Sequence, residues 1–251
     1  DTSAVAIAVA LNADLCQIYT DVEGIYTADP RKVDTAIKLD AISYDEMLEL
    51  ATLGAQVLNN RAVEIAKKHN IELEVLSSFV DVPGTIVKEV ANVENLLISG
   101  VAKDDNIAKI SITGIPDVHG WAFRIFSKLS ARDVNVDTIL QSIIRDGKRD
   151  VFFTVSQDRV HEAIDALSKY CKSIEGAELS FDENVSKVSI VGAGMQTHAG
   201  IAAKMFECLY TARIDVQMVA TSEIKVSVLI DQKDSDEAVR NIHNTFFNTI
   251  A

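Results

Sequence analysis

The sequence predicts an α/β protein: one layered domain with a mainly parallel sheet, followed by two ferredoxin-like βαββαβ units. Three observations predict it. Helical periodicities alternate with short apolar runs over the first third of the chain, Pro83-Gly84 interrupts that alternation, and an internal repeat fills the rest. Residues 2–13 read as an alanine-rich helix and 15–19 as a short buried strand, followed by a polar, turn-rich stretch over 20–31. Ser43 and Glu46 make a capping box that opens a helix running toward Gly54. A second helix covers 61–69, a strand 72–77 and a last short strand 85–90, which puts the domain boundary near 91–94.

In the repeat, Lys109-Ile110-Ser111-Ile112-Thr113-Gly114 matches Lys187-Val188-Ser189-Ile190-Val191-Gly192. Gly120, Ala122, Phe126 and Leu129 match Gly200, Ala202, Phe206 and Leu209, and Asn135-Val136-Asp137 matches Asp215-Val216-Gln217. The first copy reads as strand 107–113, helix 120–132, strands 134–143 and 149–155, helix 158–171 and a closing strand 177–181. The second copy stops after a helix over 235–247, one strand short. The apolar stretch 96–102 has no other partner and is assigned to it. The expected domains are therefore 1–93, 107–182, and a discontinuous unit of 94–106 with 183–251.

Of the 251 residues, 48% are hydrophobic and 24% charged, the balance of a globular protein with buried cores. A formal net charge of −13 argues against a nucleic-acid partner, which asks for a basic face. No apolar run approaches the roughly 20 residues of a membrane helix, and no signal peptide opens the chain. The start at Asp1, with a helix-like run at once behind it, reads as a chain cut inside a domain. Cys16, Cys171 and Cys208 are scattered in apolar segments and read as reduced core thiols of a cytoplasmic protein. The five histidines form no spaced pair, so no metal site is expected.

Candidate chemistry begins where Thr20-Asp21 leaves the strand 15–19, at the sheet edge where α/β folds bind ligands. Tyr26 and Arg31 lie close behind. Arginine offers a fork of donors for phosphate oxygens, and tyrosine an aromatic face or a hydroxyl. The alternative is a polar surface turn closed by Asp29-Pro30. Gly192-Ala193-Gly194 after an apolar strand invites a dinucleotide reading, but the third glycine of that fingerprint falls on Thr197.

The run from Tyr19 to Arg31, YTDVEGIYTADPR, resembles the nucleotide-binding signature of the aspartate kinases within the amino-acid kinase family. The opening DTSAVA resembles the segment immediately after that family's glycine-rich substrate loop. ITGIPDVHG, VSIVGAG and TSEIKVSVLI resemble the regulatory half of its lysine-sensitive members. The resemblance covers essentially the whole chain. It implies the end of an amino-acid kinase domain followed by two ACT domains, and transfer of the γ-phosphoryl group of ATP to the β-carboxylate of aspartate with Mg²⁺. Carried over, Asp1 would be the catalytic-site acid facing the α-ammonium of aspartate. Thr20, Asp21, Tyr26, Asp29 and Arg31 would hold the nucleotide. The family usually reads GAKVLHP where this chain has Gly54-Ala55-Gln56-Val57-Leu58-Asn59-Asn60. Gln56 thus replaces a phosphate-contacting lysine, and a neutral amide does not supply its charge. The family's N-terminal lysine-and-glycine phosphate loop is absent, so this chain by itself is expected to be inactive.

ACT modules bind amino acids at the turn between first strand and first helix, where glycine admits the ligand and helix N–H groups suit a carboxylate. The resemblance assigns Asp117, Val118, His119, Gly120, Trp121, Ala122, Asn135, Val136, Asp137 and Gln141 to the first effector site. The second would use Ile201, Ala202, Asp215, Val216, Ser222 and Glu223. Singly, most of these could be caps, turns or core, and Trp121 reads first as packing. The effector would be lysine, threonine or both, and the modules would associate with those of another chain, giving a homo-oligomer. An alternative is a non-catalytic regulatory subunit partnered with a longer catalytic chain. A different amino-acid kinase with sensing modules is the third reading.

Overall fold

The computed structural model describes residues 1–54, 57–89, 97–196 and 198–247. They divide into two compact units, one of residues 1–104 with 187–251 and one of residues 105–186. In the first unit, helix α1 (Thr2–Ala10) leads into strand β1 (Leu15–Thr20). The helix stops short of residue 13 because Asn12 takes a left-handed φ of 51°, letting the Ala13 N–H return to the Ala8 carbonyl. Strand β2 (Ala41–Ser43) runs into α2 (Tyr44–Thr52), then come α3 (Asn60–His69), β3 (Glu72–Ser77) and β4 (Thr85–Lys88). The capping box forms as expected: Ser43 Oγ accepts from the Glu46 N–H, and Glu46 accepts from the Ser43 N–H. Asn59 caps α3, and Asn70 ends it in the left-handed conformation behind Lys67, Lys68 and His69.

These strands form a sheet in the order β1-β3-β4-β2. β1 and β3 are parallel, as are β2 and β4, while β3 and β4 are antiparallel. The segment between β3 and β4 is too short for the crossover a parallel pair requires, so the chain must double back. Val5 and Ala8 of α1, Met47 and Leu50 of α2, and Ala62, Val63 and Ala66 of α3 close over Leu73 and Val75. The next strand, β5 (Gly100–Asp104), lies outside this sheet.

The second unit is the first repeat copy. It consists of β6 (Ile107–Pro116), α4 (Trp121–Ser130), β7 (Ile139–Gln141), β8 (Lys148–Ser156), α5 (Val160–Lys172) and β9 (Glu178–Asp182). Its sheet has the order β7-β8-β6-β9, antiparallel throughout. Ile110, Ile112, Val151 and Phe153 alternate onto the helix-covered face and meet Ile125, Leu129, Ala163 and Leu167.

From residue 187 on, the other repeat copy belongs to the first unit. It comprises β10 (Val185–Val191), α6 (Ile201–Thr211), β11 (Met218–Thr221), β12 (Lys225–Asp231) and α7 (Ser235–Phe247). Its sheet has the order β11-β12-β10-β5. The strand missing from the second copy is thus β5, antiparallel to β10 from Val191↔Gly100 to Lys187↔Asp104. It begins later than the apolar stretch 96–102 suggested, and residue 96 lies outside the described residues, as does the expected boundary at 91–94.

Candidate functional site

The loop after β1 carries the first group of candidates. Thr20 ends the strand and donates its hydroxyl to Asp21 Oδ1 at 3.1 Å. The chain then folds back on itself through a bridge between Tyr26 and Lys38, with the Thr27 N–H donating to the Ile37 carbonyl. Burial, helped by Glu23, pushes the Tyr26 hydroxyl pKa up. Arg31 donates to Asp29 twice from its side chain, Nε to Oδ1 and Nη2 to Oδ2, both at 3.0 Å, and once from its backbone. Those bonds hold the Asp29 carboxyl below the usual range. The guanidinium is 86% exposed yet fixed in direction, and the charge of Asp21 acts on it as well. Thr20, Asp21, Asp29 and Arg31 are therefore brought together. Asp1 stands at the start of α1, where its Oδ2 accepts from the Asn59 N–H at 3.1 Å. Gln56 lies outside the described residues.

In the first repeat copy, three of the expected residues converge on one that the sequence did not single out. Arg149 pairs through Nη2 with Asp117, donates Nη1 to Gln141 Oε1 at 3.1 Å, and lies 4.8 Å over the Trp121 ring. Its side chain is 11% exposed, and its buried Nε has no hydrogen-bond partner among the described residues. Arg149 sits across from Ile115 in the β6–β8 ladder, and only that register places it beside Asp117. Trp121 therefore both packs and presents its face to a cation. Gly120 caps α4 at φ 80° and Gly200 caps α6 at φ 96°, the left-handed conformation in both copies. Val118 and His119 are exposed beside Gly120, and Ala122 is half-buried. Asn135 is exposed, Val136 packs against the core, and Asp137 accepts from the hydroxyls of Thr138 and Thr154. These three stand on the segment before β7.

In the second copy, Ile201 is buried core and Ala202 packs against it, while Asp215, Val216, Ser222 and Glu223 are exposed. The Ser222 N–H closes a turn onto the Lys225 carbonyl. Gly192 sits against the backbone of Ile98, so any side chain there would strike the Ile98 Cα. That close approach accounts for the glycine without a dinucleotide. Buried Glu46 completes this turn: Oε1 accepts from Ser99 Oγ at 2.6 Å and from the Ala193 N–H at 3.0 Å.

Known proteins divide in the same way. Residues 1–77 match the model of the amino acid kinase family, and residues 109–172 and 188–246 each match an ACT domain. An aspartokinase of Pseudomonas aeruginosa is 48% identical over 98% of this chain, which spans 60% of that protein's length. The crystal structure of Clostridium acetobutylicum aspartate kinase superposes on 98% of this chain with a TM-score of 0.84 at 27% identity, covering 57% of that protein. The regulatory subunit of aspartate kinase from Thermus thermophilus matches 60% of this chain and 99% of its own length, at 35% identity and a TM-score of 0.57.

Proposed function

Because the chain belongs to the aspartate kinase family, we propose that the protein it forms part of transfers the γ-phosphoryl group of ATP to the β-carboxylate of aspartate, under control of lysine or threonine. The anchored Arg31 carries the catalytic half. A guanidinium oriented by Asp29 and left open to solvent suits phosphate oxygens, and Thr20 and Tyr26 add hydroxyls from the same loop. Mg²⁺ would arrive on the nucleotide and neutralise charge on the transferred group. Asp1, turned in part onto Asn59, would offer its carboxylate to the ammonium of aspartate.

The sensing half rests on Arg149. Its buried Nε has no acceptor among the described residues, and a ligand carboxylate would supply one, while Asp117 offers an oxygen to an ammonium. Asp137 of the same module would receive the second ammonium of lysine, and Glu223 would serve the separate site of the second module. Association of the ACT modules of two chains would cover exposed Ile139, Ile143 and Ile144 at the β7 edge. Cys16, Cys171 and Cys208 are all free thiols, which accords with a reducing, cytoplasmic compartment.

Two measurements test this reading. The natural full-length polypeptide should form aspartyl hydroxamate from aspartate, ATP and Mg²⁺ when trapped with hydroxylamine, whereas residues 1–251 alone should not. Calorimetry of residues 1–251 with millimolar lysine or threonine should show binding of at least one. Sensing without catalysis in the full-length protein would favour a regulatory subunit, and neither activity would end the proposal.

A further inference from the structure

The loop assigned to the nucleotide does not pack where its place in the sequence would put it. Ala28 and Val33 are buried in the core of the second repeat copy, among Ile190, Ile201, Val239 and Ile242, and Ala36 packs against the same cluster. The Thr27 carbonyl accepts from the N–H of Val101 in β5 at 2.7 Å. In the first turn of α7, Asp236 bridges Lys32 of the loop at 2.9 Å and Lys103 of β5 at 2.7 Å.

At the centre of this contact is His243 on α7, with no solvent exposure. Its Nε2 lies 2.8 Å from Thr27 Oγ1 and its Nδ1 3.5 Å from Thr35 Oγ1, while its ring stacks on Phe247 at 4.6 Å. The protons can be assigned by elimination. Thr35 Oγ1 donates to Asn244 Oδ1, so toward His243 it accepts, and Nδ1 carries the hydrogen. Nε2 is then the acceptor for the Thr27 hydroxyl, whose oxygen accepts the Ile37 N–H at 2.9 Å. Each hydrogen bond in the chain Ile37–Thr27–His243–Thr35–Asn244 then has one donor and one acceptor.

We propose that His243 is a positioning residue for nucleotide binding: through Thr27, helix α7 of the second module sets the place of Tyr26, Asp29 and Arg31. This rests on the nucleotide reading of that loop. The consequence is specific. Loss of the clamp frees the loop that meets ATP and leaves the aspartate side of the site alone.

The test has two arms. In residues 1–251, His243→Ala should raise amide hydrogen exchange over residues 27–37 by about tenfold, the equivalent of one buried hydrogen bond, without changing exchange in α4 and α5. In the natural full-length enzyme it should raise KM for ATP about tenfold, with KM for aspartate unchanged and kcat altered less than about twofold. His243→Gln, whose amide reaches the Nε2 position, should recover most of the effect. Thr27→Val should reproduce it and Thr27→Ser should not, which keeps the test open if the alanine variant unfolds. Unchanged exchange, or KM values for both substrates that rise together in the Thr27→Val enzyme, would overturn the proposal. An inactive wild-type enzyme would instead defeat the kinase reading, and the exchange arm would still decide the clamp.

Discussion

Glu46 Oε1 accepts the backbone N–H of Ala193 at 3.0 Å, joining the first turn of α2 to the turn after β10. The same carboxylate takes Ser99 Oγ through Oε1 and both the N–H and Oγ of Ser43 through Oε2. One capping-box residue therefore stops being a local device and becomes the joint between the layered domain and the second repeat copy. A carboxylate has only acceptors, which is why it can satisfy four donors while buried.

Glu46→Gln should destabilise residues 1–251 by roughly 1–3 kcal/mol, because its amide turns N–H toward one pair of donors. Ser99→Ala, which removes a single hydroxyl, should cost about 1 kcal/mol. Urea unfolding midpoints at constant m-value measure both, and equal losses would show that Oε1 does not carry the joint.

Tyr44 is fully buried beneath the first sheet and donates its hydroxyl to the Ile71 carbonyl at 2.7 Å. Burial, with Glu72 and Glu89 nearby, pushes its pKa up to about 12. A raised value means the neutral phenol is favoured in the fold. That contribution is complete below the ordinary value of 10.0 and is lost as pH climbs toward 12. Tyr44→Phe should lower stability by about 1 kcal/mol at neutral pH. It should also flatten the alkaline decline seen by circular dichroism.

His243 supplies the opposite sign. Burial pushes its pKa below the ordinary 6.5, so the folded chain holds the neutral ring that its bonds to Thr27 and Thr35 require. Stability from this group is complete above pH 6.5 and declines as the pH falls below it, because the unfolded chain binds the extra proton. Thermal melts between about pH 7.5 and 5.5 should show that decline in wild type and a shallower one in His243→Gln. Parallel curves would assign the slope to other groups.

Arg149→Met should weaken lysine or threonine binding by about tenfold or more, since the variant keeps the packing over Trp121 but loses the donors. Asp117→Ala should weaken binding by roughly 1.5–3 kcal/mol, the range of a charge-assisted hydrogen bond. If Asp117→Ala tightens binding instead, its partnership with Arg149 competes with the ligand, and the ammonium is held elsewhere.

Much of the fold is legible in the sequence because it is local. The capping box at Ser43 and Glu46, the strand over Glu72–Ser77, the helix over Ser235–Phe247 and the twofold repeat all come from spacing, since burial on one face repeats with the period of the element. So does the conjunction of Thr20, Asp21 and Arg31, which one loop carries. Helix α1 ends early for an equally local reason, the left-handed Asn12, which apolar periodicity does not report.

Tertiary structure alone decided the rest. Nothing in the residues around Arg149 says that it faces Asp117 and Trp121, because the β6–β8 register brings them together. A deficit in the repeat predicts the fourth strand of the second module, yet its pairing from Gly100 to Asp104 depends on which backbone atoms β10 leaves open. Thr27 and His243 are separated by 216 residues and joined by one hydrogen bond. Periodicity tells which side of an element is buried, but only the packed chain decides what it is buried against.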